Sequence, residues 1–251
     1  MQIRQFPKGR EIDLPISDLH AIVNHLERAT NSDVVVIGGR AVNLYCINSS
    51  RFTNDVDLVL RWKPSREQLS TLPSFMHRDE NNAYFEITYR GERVTPEVKY
   101  YRPSLPMGFT TLDLYYPYYV SSFNNFQNRT DISGIPIETI LEKSQTISIG
   151  EELTMKVPSP QILVVLKYVS WMDRGKGDPK AKDMADIRNL IRNHANTPQT
   201  FTRLIHRVGE IVNKTMPEQH HEIITGVLRN ASLRGINKEL EKIADDLLRM
   251  A

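Results

Sequence analysis

The chain has 251 residues and a formal net charge of +2, with 15 Lys and Arg against 11 Asp and Glu from Lys167 onward, a mild basic excess compatible with a polyanionic substrate such as a triphosphate or RNA. Its length suits one large domain or two small ones with a substantial core. One cysteine excludes an internal disulfide and a Cys-based zinc site, no run approaches the ~20 apolar residues that cross a bilayer, and the first eight residues lack a signal-peptide core, so the expected setting is cytoplasmic, away from membranes.

In chain order, Ser17 is placed to cap a helix whose apolar face is Leu19, Ile22, Val23 and Leu26, at i, i+3, i+4, i+7 spacing. The β-branched run Val34 to Ile37 reads as a buried strand, stopped by Gly38 and Gly39 before helical spacing resumes. A strand, a glycine turn and a helix start leave backbone amides pointing outward, a natural seat for phosphate. Cys46, in the apolar stretch that follows, reads as a buried structural thiol. The next strand, with Val56, Leu58 and Val59, carries Asp55 and Asp57 at its start. Residues i and i+2 of a strand share a face, so both carboxylates can converge on one hard cation such as Mg²⁺. Each motif alone is common in proteins that bind nothing; the two on consecutive strands describe a site for a metal-bound nucleotide.

Residues 64–72 read as a short helix with Pro64 in its first turn, and residues 77–82 as a polar break. Strand periodicity follows at 84–89 and 94–98 around Arg90-Gly91-Glu92, a hairpin whose second arm is expected at an edge because of Pro96. The strand 110–115 sets Asp113 between apolar neighbours, where a carboxylate is costly to bury unless a cation or donor meets it. Asp113 is therefore the candidate third acid, its alternative being a hydrogen-bonded structural carboxylate. The aromatic stretch 115–126 offers rings that could stack on a base, though it fits a loop over the core better. A second hairpin is expected from 145–149 and 153–157 around Gly150.

At Pro158-Ser159-Pro160 the pattern turns helical, with Ser159 as N-cap and Pro160 opening a helix through Ile162, Leu163, Val165, Leu166 and Val169. Lys167, inside that apolar run, either snorkels to water or directs its charge into a phosphate site. The basic turn 174–180 leads to a helix with Asp183 in an early turn, where the helix dipole alone would account for an acid, and Asp186 beyond it. Three amphipathic helices follow, with apolar faces built on Phe201, Leu204, Ile205, Val208 and Ile211, on Ile223, Ile224, Val227 and Leu228, and on Leu240, Ile243, Ala244 and Leu247, bounded at Pro198, Pro217 and Gly235. His220 and His221, adjacent on a helix, face different ways and form no metal pair.

Gly38-Gly39 with Arg51-x-Thr53-x-Asp55-Val-Asp57 resembles the first motif of the nucleotidyltransferase superfamily, and is most similar to the minimal AbiEii/AbiGii-type enzymes of toxin–antitoxin and phage-defence systems. Asp113, Lys167 and Lys182-Asp183-Met-Ala-Asp186 follow in the order those enzymes carry a third Asp, a helical Lys and a Lys/Arg-Asp-x-x-Asp helix. Lys182 stands where relatives often have Arg, and Gly39 where many have Ser. The resemblance implies an α/β (α+β) fold, a nucleotidyltransferase-type mixed twisted sheet flanked by helices (1–157) followed by a C-terminal helical domain (158–251). It implies Mg²⁺ (or Mn²⁺) held by Asp55, Asp57 and Asp113; an NTP bound by Gly38, Gly39, Arg51, Thr53, Lys167 and Lys182; and catalytic roles for Asp55, Asp57, Asp113, Lys167 and Asp186. Transfer would go to RNA (often the tRNA end), protein or a small molecule, with toxin activity checked by an antitoxin protein. Two other readings stay open: an inactive binding or antitoxin module on the same fold, and a glycosyltransferase using Asp55-x-Asp57.

Overall fold

The computed structural model describes residues 10–11, 14–46, 51–53, 55–65, 67–68, 84–89, 96–102, 108–117, 131–174, 178–230 and 238–250. In chain order β1 (Arg10–Glu11) precedes α1 (Ile16–Thr30), β2 (Val34–Ile37), α2 (Gly38–Tyr45) and β3 (Asp55–Leu60). Next come β4 (Tyr84–Tyr89), β5 (Pro96–Arg102) and β6 (Gly108–Tyr115), then the short ribbon β7 (Asp131–Ile132) and β8 (Ile135–Pro136), α3 (Ile137–Glu142), β9 (Ser144–Ile149) and β10 (Leu153–Pro158). The helices α4 (Pro160–Asp173), α5 (Asp178–His194), α6 (Pro198–Thr215), α7 (His220–Asn230) and α8 (Lys238–Met250) complete the chain, with a 3₁₀ turn at Pro217–Gln219. Among these residues no helix is long and apolar enough to cross a membrane.

Eight strands form one mixed sheet in the order β4-β5-β6-β3-β2-β10-β9, with β1 joining β6. The β1–β6, β3–β6 and β2–β10 pairs are parallel; β2–β3, β4–β5, β5–β6 and β9–β10 are antiparallel. All four residues of β2 are buried, as are Val56 and Leu58 to Leu60 of β3. Continuous burial of this kind marks central strands covered on both faces. α1 packs on β2 and β10, whereas α2 packs on β2, β3, α4 and α5, so the helix that follows the glycine turn is wedged between the sheet and the C-terminal helices.

Several local expectations change. Ser17 does not cap α1: the helix begins at Ile16, the Pro15 carbonyl accepts the first turn's amides, and the Ser17 hydroxyl reaches only Asp18. β5 is no edge strand; it lies between β4 and β6, and Pro96 is its first residue, a sheet position that tolerates proline. Ser159 does occupy the N-cap of α4, but its side chain accepts no bond there and Pro160 supplies the start. α6 buries Val212 along with Phe201, Leu204, Ile205 and Val208, and Ile211 packs partly buried against the core. The β9–β10 hairpin turns at Gly150 with φ 65°, a backbone state that suits glycine. Most of the 64–72 helix, the polar break at 77–82, most of the 115–126 stretch, Gly175 to Gly177 and Gly235 lie outside the described residues.

The C-terminal ends of α2, α5 and β10 meet at Tyr45. Its hydroxyl donates to the Pro158 carbonyl (2.9 Å) and accepts from Gln145 Nε2 (2.7 Å), and burial pushes it up to about 12. The His194 ring stands edge-on to it at 4.8 Å between centroids, and burial lowers the imidazole below its ordinary value. A depressed histidine resists the proton that the unfolded chain accepts, so its stabilising contribution is present at neutral pH and is lost as pH falls below the unfolded value of about 6.5. Melts of the wild type and His194→Phe between pH 8 and pH 5 are expected to show the wild type losing more stability toward acid; parallel curves would contradict this.

Candidate active site

The site is built where β2 hands over to α2. Gly38 has φ 68°, and a Cβ placed on it would lie 1.9 Å from Asp57 Oδ2. At Gly39 a Cβ would meet the Thr53 methyl at 2.7 Å and Arg51 Nη2 at 3.0 Å. Both glycines are therefore required by close approach, the first also by its backbone angle. A serine at position 39 would crowd this arrangement. The α2 amides open beside Asp57 and Thr53, which is the geometry of an anion seat.

Two side chains of α2 fix the segment before β3. Asn43 Nδ2 donates to the Arg51 carbonyl at 2.6 Å while its Oδ1 accepts from the Arg51 amide at 3.1 Å. Buried Arg40 donates from Nη2 to the Thr53 carbonyl at 3.3 Å. Thr53 itself is 2% exposed, and its hydroxyl has no hydrogen-bond partner among the described residues. An orphaned buried hydroxyl next to a glycine turn suits an incoming acceptor oxygen.

In the sheet, Asp57 of β3 pairs in register with Asp113 of β6, and Asp55 with Thr111. Cross-strand partners share a face, so Asp57 and Asp113 are neighbours and Asp55 lies two residues along the same face. Asp55 is exposed, and Asp57 and Asp113 are partly buried. Burial, then the Asp55 and Asp113 carboxylates, push Asp57 up to about 7, against the opposing effects of Lys167 and a hydrogen bond from Tyr115. The Tyr115 hydroxyl donates to Asp57 Oδ1 at 3.2 Å, and that carboxylate, followed by burial, drives the phenol well above its ordinary range.

Behind the acids runs an alternating chain of charges. Asp186, fully buried on α5, accepts from Arg51 Nε at its Oδ1 (2.8 Å) and pairs through Oδ2 with both Arg51 Nη2 and Lys167 Nζ, each at 2.8 Å. Lys167 Nζ also meets Asp183 Oδ1 at 3.2 Å, and Asp183 Oδ2 meets Arg174 at 3.0 Å. Lys167 is only 7% exposed, so it does not snorkel; its charge is held inside by two carboxylates. Asp183 is likewise no mere dipole acid, because α5 starts five residues earlier at Asp178 and Asp183 faces Lys167. Lys182 is exposed on that helix.

The structure thus brings together Gly38, Gly39, Arg51, Thr53, Asp57 and Asp113 at the handover, with Lys167 and Asp186 behind them and Asp55 at the open side. Arg40, Asn43, Tyr115 and Arg174 are additions that motif spacing does not reveal. Arg40 directly follows Gly39, Asn43 lies four positions past Gly39 on α2, and Tyr115 sits two past Asp113, so their place relative to the motifs is the only sequence signal they carry. Among the described residues no three His, Cys, Asp or Glu side chains stand ready around one point for a metal. Mg²⁺ characteristically takes one or two carboxylates and completes its shell with substrate phosphates and water. An all-oxygen donor set with crowded negative charge beside a glycine turn fits that cation.

The amino-acid sequence matches the family model described as "Nucleotidyl transferase AbiEii toxin, Type IV TA system" over residues 25–250. No curated protein matches. Similar solved structures include the antibiotic-resistance factor ANT(2'')-Ia in solution, 12% identical, covering 82% of this chain and 95% of that one with a TM-score of 0.45. An antigenic nucleotidyltransferase-like protein from Paracoccidioides brasiliensis is 18% identical over 84% of this chain and 94% of that one, with a TM-score of 0.42. ANT(2")-Ia in complex with adenylyl-2"-tobramycin is 12% identical over 77% and 96%, with a TM-score of 0.41.

Proposed function

The chain belongs to the AbiEii nucleotidyl transferase toxin family and is a nucleotidyltransferase, and from that premise we propose that it moves a nucleoside monophosphate from an NTP to an acceptor hydroxyl with the help of Mg²⁺ or Mn²⁺. The observation that carries this reading is the in-register pair Asp57 and Asp113, with Asp57 Oδ2 packed against the Gly38 turn. Membership also removes the glycosyltransferase alternative.

In the proposed reaction, the α2 amides at Gly38 and Gly39 and the Thr53 hydroxyl hold the triphosphate. Asp57 and Asp113, with Asp55 two residues along the same face, would supply the carboxylates for the divalent ion, which when bound would offset triphosphate charge and make the acceptor hydroxyl more acidic. Asp113 takes the acceptor's proton; the acceptor oxygen bonds to the α-phosphorus, the bond from that phosphorus to the bridging oxygen breaks, and pyrophosphate leaves with the electron pair. Arg51 and Lys167, set in place by Asp186, face the leaving group's charge. The acceptor is an RNA such as tRNA, a protein or a small molecule; an antitoxin partner, a cytoplasmic setting, and a division at residue 158 into nucleotidyltransferase-like and helical parts complete the proposal.

Incubating the protein with each α-labelled NTP, Mg²⁺ and total RNA or protein extract tests this. Label is expected to enter one macromolecular class with one preferred NTP, and excess chelator is expected to stop incorporation. Absence of label with every NTP, or label undiminished by the chelator, would overturn the reading.

A further inference from the structure

We propose that Tyr115 is a positioning residue for Asp57, fixing which carboxylate oxygen the site presents to a divalent cation; the proposal rests on the reading of Asp57 as a metal-binding acid.

Asp57 has two oxygens in two different settings. Oδ1 accepts the Tyr115 hydroxyl at 3.2 Å. Oδ2 occupies the space that a Cβ on Gly38 would fill. One oxygen is thus tied to β6 while the other is offered at the glycine turn, where the α2 amides start. Rotation about the side-chain bonds would exchange them or swing both away, because neither the backbone nor the neighbouring acids hold a carboxylate in one rotamer. Asp55 and Asp113 repel it, and the hydroxyl of Tyr115 supplies a direct attraction.

The sheet explains why this tyrosine can reach. Val59 pairs with Tyr115 and Asp57 with Asp113 on the parallel β3–β6 ladder, so Tyr115 lies diagonally across from Asp57 on the face shared with Asp113. A phenol spans that diagonal whereas a serine or threonine would stop short. Tyr115 is partly buried and packed against the core, which limits where the ring can go. Hydrogen-bond partners of metal-binding carboxylates set ligand orientation, and their loss typically costs 10–100-fold in metal affinity or activity.

The test measures Mn²⁺ binding to the full chain without nucleotide, by electron paramagnetic resonance of the free ion, for the wild type, Asp57→Asn and Tyr115→Phe, with far-UV circular dichroism establishing that each is folded. Asp57→Asn is expected to lose Mn²⁺ binding, and Tyr115→Phe to weaken it by about tenfold. In steady-state assays Tyr115→Phe is expected to lower kcat at fixed Mn²⁺ and to recover much of it at higher Mn²⁺, with KM for the NTP little changed. A folded Tyr115→Phe protein that binds Mn²⁺ as tightly as wild type overturns the role of Tyr115 while leaving Asp57 as a metal-binding acid. Equal Mn²⁺ binding by wild type and Asp57→Asn overturns the reading of Asp57 itself, and with it this proposal.

Discussion

Asp57→Asn is expected to reduce nucleotidyl transfer by on the order of 10³-fold, equivalent to ~4 kcal/mol of barrier, yet to make the metal-free protein more heat-stable at pH 8. The two effects share one cause. Burial and the Asp55 and Asp113 carboxylates raise Asp57 from 3.8 to about 7, so the folded state keeps its proton where the unfolded chain has released it. A raised carboxyl contributes stability that is full below the unfolded value, declines as pH rises through the window from 3.8 to about 7, and is gone above it. At roughly 1.4 kcal/mol per pH unit the strain above that window is a few kcal/mol, which for a chain of this size is roughly several degrees in Tm. Asparagine carries no charge and escapes it. Melts in chelator at pH 8 and pH 4 check the sign: the variant should gain at pH 8 and lose the advantage at pH 4. Added Mg²⁺ should lift the wild type at pH 8 and leave the variant unmoved. A variant less stable than wild type at pH 8 would contradict the crowding of carboxylates, and retained activity would remove Asp57 from the reaction.

Asp186→Ala is expected to destabilise the fold by about 3–5 kcal/mol and to abolish activity. The carboxylate is fully buried and neutralises Lys167 and Arg51 together, with three contacts of 2.8 Å. Removing it leaves Lys167, itself 7% exposed, with Asp183 at 3.2 Å as its remaining partner. An uncompensated buried charge is costly, far more than the pair was worth. Asp186→Asn keeps the shape and one acceptor and should fall between. Glu138→Ala provides the contrast: it breaks an equally short pair, Arg61 to Glu138 at 2.7 Å, but both side chains are exposed, and the expected loss is under about 1 kcal/mol. Chemical denaturation of the three variants ranks them. If Asp186→Ala costs no more than Glu138→Ala, the buried chain of charges is not holding the helices to the site.

The parts of the site that could be read from sequence are those whose chemistry depends on near neighbours. Gly38 and Gly39 after a β-branched run, and Asp55 and Asp57 two apart, declare themselves because a strand's alternation and a turn's backbone demands are local properties. Asp113 was legible for another reason, a carboxylate among apolar strand residues being conspicuous by cost. Sequence leaves Lys167 between water and a phosphate site, and the structure removes only the first, because Asp183 and Asp186 of the next helix hold its amine inside. Ser17 and Pro96 misled because a capping residue or a ring-locked nitrogen has several permitted positions, and only the neighbouring segment selects among them. Tyr115, Asn43 and Arg40 carry no motif at all. Their hydrogen bonds go to carboxylate or backbone atoms that approach only after β3 lies beside β6 and α2.

Arg51 meets its carboxylate 135 positions downstream. A ribosome making this protein therefore releases the glycine turn and all three acids well before the helix that steadies Arg51 and Lys167 exists. Until translation passes Asp186, Arg51 and Lys167 therefore lack the buried carboxylate that pairs with both.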